Sequence, residues 1–166
     1  MFSKIDDFLG VLYNEHKSTI KVFEMVDESK KSVKINDNLR SLERMAWHIT
    51  QTMTEMPART GILSEDFLEN KPVPGTFQEI IATYKKYGKL LADSVKSGWT
   101  DADLRKEVDM YGEMWPNGKT VFALIAHEIH HRAEMIAVMR MLEMKVPGLY
   151  GPSKEEWAAY GMPAME

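Results

Sequence analysis

The sequence predicts an all-α fold: a four-helix bundle with a short irregular excursion before the last long helix and an ordered C-terminal tail. Three observations point to it. Four stretches carry apolar residues at every third or fourth position. Proline, glycine and turn residues separate those stretches. No repeat, low-complexity tract or long linker divides the 166 residues, so residues 1–166 read as one domain with its own core.

The first helix is expected over residues 3–30. Ile5, Leu9, Leu12, His16, Ile20 and Phe23 make one apolar stripe along it. His16 reads as a buried, hydrogen-bonded histidine, the alternative being a place in or beside a metal site. The basic run Lys30 to Lys34 reads as a solvated turn. The second helix is expected over 38–56 and should stop at Pro57, which lacks the amide that a helix interior needs. Leu42, Met45, Ile49, Met53 and Met56 form its apolar face. His48 lies at the edge of that face, with Ser41, Thr52 and Glu55 along the same side. A polar strip of this kind suits a metal ligand with hydrogen-bonding support; the alternative is an edge histidine that merely covers the core. Trp47 points away from His48, towards another helix or a partner chain.

Gly61, Pro72, Pro74 and Gly75 mark residues 60–75 as a crossover loop with one helical turn at Glu65 to Glu69. The third helix is expected over 76–96, capped by Thr76 with Glu79 as its reciprocal partner. Phe77, Ile80, Ile81, Tyr84, Tyr87 or Gly88, and Leu91 should face inward. Residues 104–118 alternate only loosely and contain Gly112, Pro116 and the turn signal Asn117-Gly118. They read as an irregular excursion or weak hairpin that brings Trp115 to the start of the fourth helix, expected over 120–144. Val146, Leu149 and Tyr150 make the following loop an ordered one. Ser153, with Glu156 three residues on, should cap a last short helix over 154–160.

Composition removes several functions. A net charge of -4 and a pI near 5.8 argue against nucleic acid or an anionic membrane surface as partner. There is no cysteine, which leaves histidine and carboxylate as the metal ligands available. No apolar run reaches membrane-spanning length. The N-terminal residues do not resemble a secretion signal, so a cytoplasmic location is expected. Thirteen methionines fall mostly on helical stripes and read as core filling rather than as a copper site.

The chemistry concentrates in Ala126-His127-Glu128-Ile129-His130-His131-Arg132. His127 and His131 are one helical turn apart and present two imidazoles to one point. With His48 from the second helix they are expected to make a three-histidine metal site. On the helical wheel His131 lies about 40° from His127, Glu134 about 20° the other way and His130 about 60° off on that side. His130 is the weaker ligand candidate for this reason. Glu128 lies about 100° round. It could hold a ligand imidazole in one tautomer, act as a base on a bound water, or form a salt bridge to Arg132 or Arg44. Three imidazoles leave zinc or nickel an open position, as in catalytic sites. A bound water would lose a proton near neutral pH and a bound thiol would ionise, so the ligand set alone does not choose the reaction. His127-Glu128-Ile129-His130-His131 also matches the H-E-x-x-H pattern of zinc peptidases. The upstream His48 and the absence of sheet-forming sequence weigh against a peptidase.

Trp47-His48, the segment His127 to Arg132, and the ending Val146-Pro147-Gly148-Leu149-Tyr150-Gly151-Pro152 resemble the DinB-like family in order and spacing over nearly the whole chain. The resemblance implies an up-down-down-up four-helix bundle, a divalent ion, zinc or nickel, held by His48, His127 and His131, and a homodimer. It departs from many members in one place: Arg132 is followed by Ala133-Glu134 rather than Gly-Gln. Glu134 near the ligand face would alter the ion's surroundings or supply another ligand. Relatives include transferases of low-molecular-weight thiols and isomerases of thiol adducts. A metal-dependent transferase joining such a thiol to an electrophilic small molecule is therefore the expected function, with Glu128 as the candidate catalytic carboxylate. A metal-dependent hydrolase and a non-enzymatic metal-binding stress protein are the alternatives.

Overall fold

The computed structural model describes residues 1–164 as four helices and one small antiparallel sheet. The helices are α1 (Ile5–Glu24), α2 (Leu42–Arg59), α3 (Phe77–Gly98) and α4 (Asn117–Met141). The sheet, β1 (Glu107–Met110) with β2 (Glu113–Pro116), lies between α3 and α4 in sequence. Each long helix packs mainly on two others: α1 on α3 and α4, α2 on α3 and α4. The stripes meet in one core around Phe8, Phe23, Ile49, Met53, Ile80, Tyr84, Leu91 and Met135. The methionines on those stripes (Met45, Met53, Met56, Met135 and Met139) are all buried. Among the described residues no helix is long and apolar enough to cross a membrane.

The helix ends show where local chemistry overrides the apolar pattern. The first helix stops at Glu24, six residues before the expected end. Asp27 then accepts hydrogen bonds from the backbone and hydroxyl of Ser29 and starts a separate 3-10 turn at Glu28–Lys30. The first two lysines of the basic run are tied down. Lys30 Nζ donates to the Leu142 carbonyl (2.8 Å) past the end of α4, and Lys31 pairs with Glu28 (2.6 Å). The second helix begins at Leu42, with Ser41 as its cap, and continues through Pro57 to Arg59. A proline this close to the end displaces little of the hydrogen-bond ladder. Thr76 and Glu79 form the expected reciprocal cap of α3.

The excursion before α4 is a true hairpin, so the fold is not purely helical. Its turn is Tyr111-Gly112, both at positive φ (61° and 88°), rather than Asn117-Gly118. Those two residues open α4. The Asn117 side chain donates to the Asp103 carbonyl (3.0 Å), and Gly118 lies so close to the Phe2 carbonyl that a Cβ would not fit. The fourth helix ends at Met141, where Glu143 at positive φ lets the Met144 amide reach back to the Met139 carbonyl (2.9 Å). Among the described residues of the tail only Trp157–Tyr160 is helical, as a 3-10 turn. Ser153 Oγ makes no cap bond; Glu156 instead accepts from the Ser153 and Gly148 amides.

Candidate metal centre

His48 lies in the second turn of α2, and His127 and His131 lie one turn apart in the middle of α4. The α2–α4 contact brings the three rings together. His127 Nε2 is 3.1 Å from both His48 Nε2 and His131 Nε2. The ring centroids lie 4.4–4.8 Å apart with the planes at 68–77° to one another. The three form a group able to hold a metal ion. The donor chemistry fits one. Three neutral rings that face each other through Nε2 cannot all supply a proton to a neighbour, so lone pairs would meet without a partner; a cation between them satisfies all three. The spacing also agrees with Zn–N bonds of about 2.0–2.1 Å in a tetrahedral site, whose edges are about 3.3 Å. Burial, and then the neighbouring imidazoles, lower the His48 pKa to about 4. Burial and His131 do the same to His127, so both rings stay neutral and available as donors at ordinary pH.

The surroundings of the three rings differ. His131 Nδ1 lies 2.6 Å from Glu134 Oε2. His127 Nδ1 is buried without a partner. The strip beside His48 does not support it as expected. Ser41 caps α2, Thr52 Oγ1 donates to the Ile49 carbonyl (2.8 Å), and Glu55 binds Arg59 (2.6 Å) and the Tyr111 hydroxyl (2.8 Å). Trp47 is buried and donates from Nε1 to the Lys71 carbonyl, which fastens the crossover loop to α2. Trp115 lies under Lys119 in the first turn of α4. His130 is exposed, with Nε2 3.4 Å from Glu134 Oε1, outside the group of three. A cavity of about 380 Å³ opens against His131 and Glu134, with Asn38 and Arg40 on its other wall and Met45, Ala137 and Val138 among its apolar lining.

Glu128 is fully buried, and its bonds run to α1 and α3. Oε1 accepts from Thr19 Oγ1 (2.6 Å) and from the Tyr84 hydroxyl, while Oε2 has no partner. Burial pushes the carboxyl pKa up, against the pull of the Thr19 and Tyr84 bonds. Burial and the Glu128 charge push the Tyr84 phenol well above its ordinary value. Arg132, one of the two salt-bridge partners considered for Glu128, pairs with Glu15 instead (2.5 Å). Arg132 also donates to the Glu15 carbonyl, Thr19 Oγ1 and the Tyr150 hydroxyl. Sequence reading missed this cluster. Its signal is a polar pair one turn apart, Glu15 and Thr19, set into the apolar stripe of the first helix. His16 is outside the metal group. Its ring stacks on Tyr84 (centroids 3.9 Å apart) directly over Gly88, and neither ring nitrogen has a hydrogen-bond partner.

Comparison with known proteins finds relatives over nearly the whole chain. A family model described as the DinB family matches residues 1–165. A Bacillus subtilis (strain 168) protein called uncharacterized protein YrdA is 32% identical over 164 residues, covering 99% of this chain and 98% of its own. The crystal structure of a DinB-like protein from Bacillus cereus ATCC 10987 superposes with a TM-score of 0.81 at 31% identity, covering 90% of this chain and all of its own. A second DinB-like structure, YjoA from Bacillus subtilis, gives a TM-score of 0.70 at 16% identity over 89% of this chain and 99% of its own, a likeness of fold alone.

Proposed function

The chain belongs to the DinB family, and on that footing we propose that it is a divalent-metal-dependent transferase acting on a low-molecular-weight thiol and an electrophilic small molecule. The observation that carries this reading is the convergence of three imidazole Nε2 atoms from two helices beside an open cavity. His48, His127 and His131 would hold the ion. When bound, zinc or nickel supplies positive charge that lowers the proton affinity of a thiol or water placed beside it. Nitrogen-only donors with room for a further ligand suit catalysis better than a closed structural site. The cavity against His131 is large enough for a small thiol, and Arg40 at its wall favours an anionic one. Glu128, the carboxylate the sequence offers as catalytic, is fully buried with its bonds to Thr19 and Tyr84, so it would act through the packing of α4 on α1 and α3 and not on the bound thiol.

The resemblance to the family supports an up-down-down-up course and a homodimer, and the acidic, cysteine-free composition is compatible with a cytoplasmic setting. Hydrolysis by an activated water is the second reading, because the same ligands serve it.

The test uses metal-stripped protein reloaded with zinc or nickel and assayed with a panel of small thiols and monochlorobimane. Metal-dependent thiol consumption is expected, with loss of both turnover and metal uptake in His131→Ala. Glu128→Gln should lower turnover while leaving metal uptake intact. Ester hydrolysis without thiol would move the assignment to the second reading. Tight metal uptake with neither activity would leave a metal-binding protein.

A further inference from the structure

We propose that Glu134 is a positioning residue for the metal centre: it fixes His131 with Nδ1 protonated and Nε2 bare, aimed at the ion. This inference rests on the three-histidine reading and adds a residue outside the ligand set.

The argument is one of donors and acceptors. A carboxylate can only accept, so the short contact from His131 Nδ1 to Glu134 Oε2 (2.6 Å) requires the proton on Nδ1. In a neutral imidazole the other nitrogen then carries the lone pair. That nitrogen is Nε2, which lies 3.1 Å from His127 Nε2 at the meeting point of the rings. The spacing of three residues on α4 puts carboxylate and imidazole on one face. The His131 side chain is largely buried (13% exposed), so the ring has few alternative orientations once the bond is made. His127 has no comparable partner, because its Nδ1 is buried and unpaired. Ring orientation on the α4 side of the site therefore depends on the bond to Glu134. The negative charge also strengthens the imidazole as a donor, as carboxylates behind metal-bound histidines do.

Glu134 has a competing use. Its other oxygen, Oε1, lies 3.4 Å from His130 Nε2, and His130, His131 and Glu134 together could take an ion of their own. An ion there would need the same Nδ1 lone pair that the hydrogen bond occupies with a proton. The two arrangements exclude each other, and the stoichiometry of binding tells them apart.

The experiment compares wild-type protein, Glu134→Ala and Glu134→Gln. The side chain is 46% exposed, so both variants are expected to fold; circular dichroism checks this. Histidine 15N–1H correlation spectra of metal-free protein read the His131 tautomer. A single Nδ1–H form is expected in the wild type and a mixture in Glu134→Ala. Zinc affinity, measured by competition with a chromophoric chelator, is expected to fall about 10- to 100-fold in Glu134→Ala. Glu134→Gln, which can still accept through its amide oxygen, should restore the tautomer and part of the affinity. An unchanged His131 tautomer together with unchanged zinc affinity in Glu134→Ala would overturn the assignment. So would two zinc ions per wild-type chain with one lost in the variant, which would make Glu134 a ligand. Absence of zinc uptake by the wild type would remove the metal reading itself, while the tautomer comparison on metal-free protein would still decide whether Glu134 sets the ring.

Discussion

Arg132 shows how much of a buried charge can be satisfied by four partners. It is 1% exposed, yet its guanidinium reaches the Glu15 carboxylate and carbonyl, the Thr19 hydroxyl and the Tyr150 hydroxyl. Removing one member of such a pair leaves the other charge uncompensated. Arg132→Ala is expected to cost about 3–5 kcal/mol, read from urea unfolding. Replacing Glu15 and Arg132 together with leucine should cost much less, because neither charge is then stranded; the double-mutant cycle measures the coupling. A fully additive cycle would show that the pair contributes nothing. The pairing of His127 with His131 was legible in the sequence, since four-residue spacing fixes a shared face before any tertiary contact is known; that His48 meets them is a long-range contact that no spacing encodes. For the Glu15–Arg132 pair the spacing of Glu15 and Thr19 marks one side only, and the partner 117 residues away is not encoded by any local pattern.

At the scale of the helices, the periodic stripes located all four, while their ends were settled by single polar groups. Asp27 and Glu143 are examples: one starts a competing turn and the other adopts positive φ to close α4. The Asn-Gly pair misled because its turn chemistry is overridden by a close approach to Phe2, which needs a glycine at 118 for want of space. The same kind of contact joins α1 to α3. The His16 ring lies over Gly88, and burial lowers its pKa from 6.5 to about 4. The folded pKa is below the unfolded one, so the contribution is complete above about pH 6.5 and is lost as pH falls towards 4. A shift of this size corresponds to about 3 kcal/mol. His48 and His127 titrate over the same range, so the effect of His16 is isolated by difference. His16→Phe, which keeps a ring over Gly88, should lose less stability between pH 7 and pH 4.5 than the wild type in metal-free urea melts. Parallel pH profiles would show that His16 is solvated.

For the whole molecule, the three imidazoles join α2 to α4, and any ion they hold binds the folded chain alone. Zinc at about a hundred times its Kd should therefore add about 2.7 kcal/mol to the stability of the protein. For a domain of this size that is an upward shift in Tm of roughly 5–10 °C, reversed by a chelator. The shift should vanish in His48→Ala, although that ring belongs to the other helix from His127 and His131. A Tm indifferent to zinc in the wild type would mean that no ion is held at this junction.

His48 and His127 are separated by 79 positions in the chain. The crossover, the whole of α3 and the hairpin lie between them. An ion shared by the two would close all of that chain into a ring, which restricts the forms it can take when the core opens locally with the junction still folded. The third helix supplies no donor, yet its amides would exchange with solvent more slowly whenever the ring is shut. Withdrawing an ion from one junction would thus loosen a helix that never touches it.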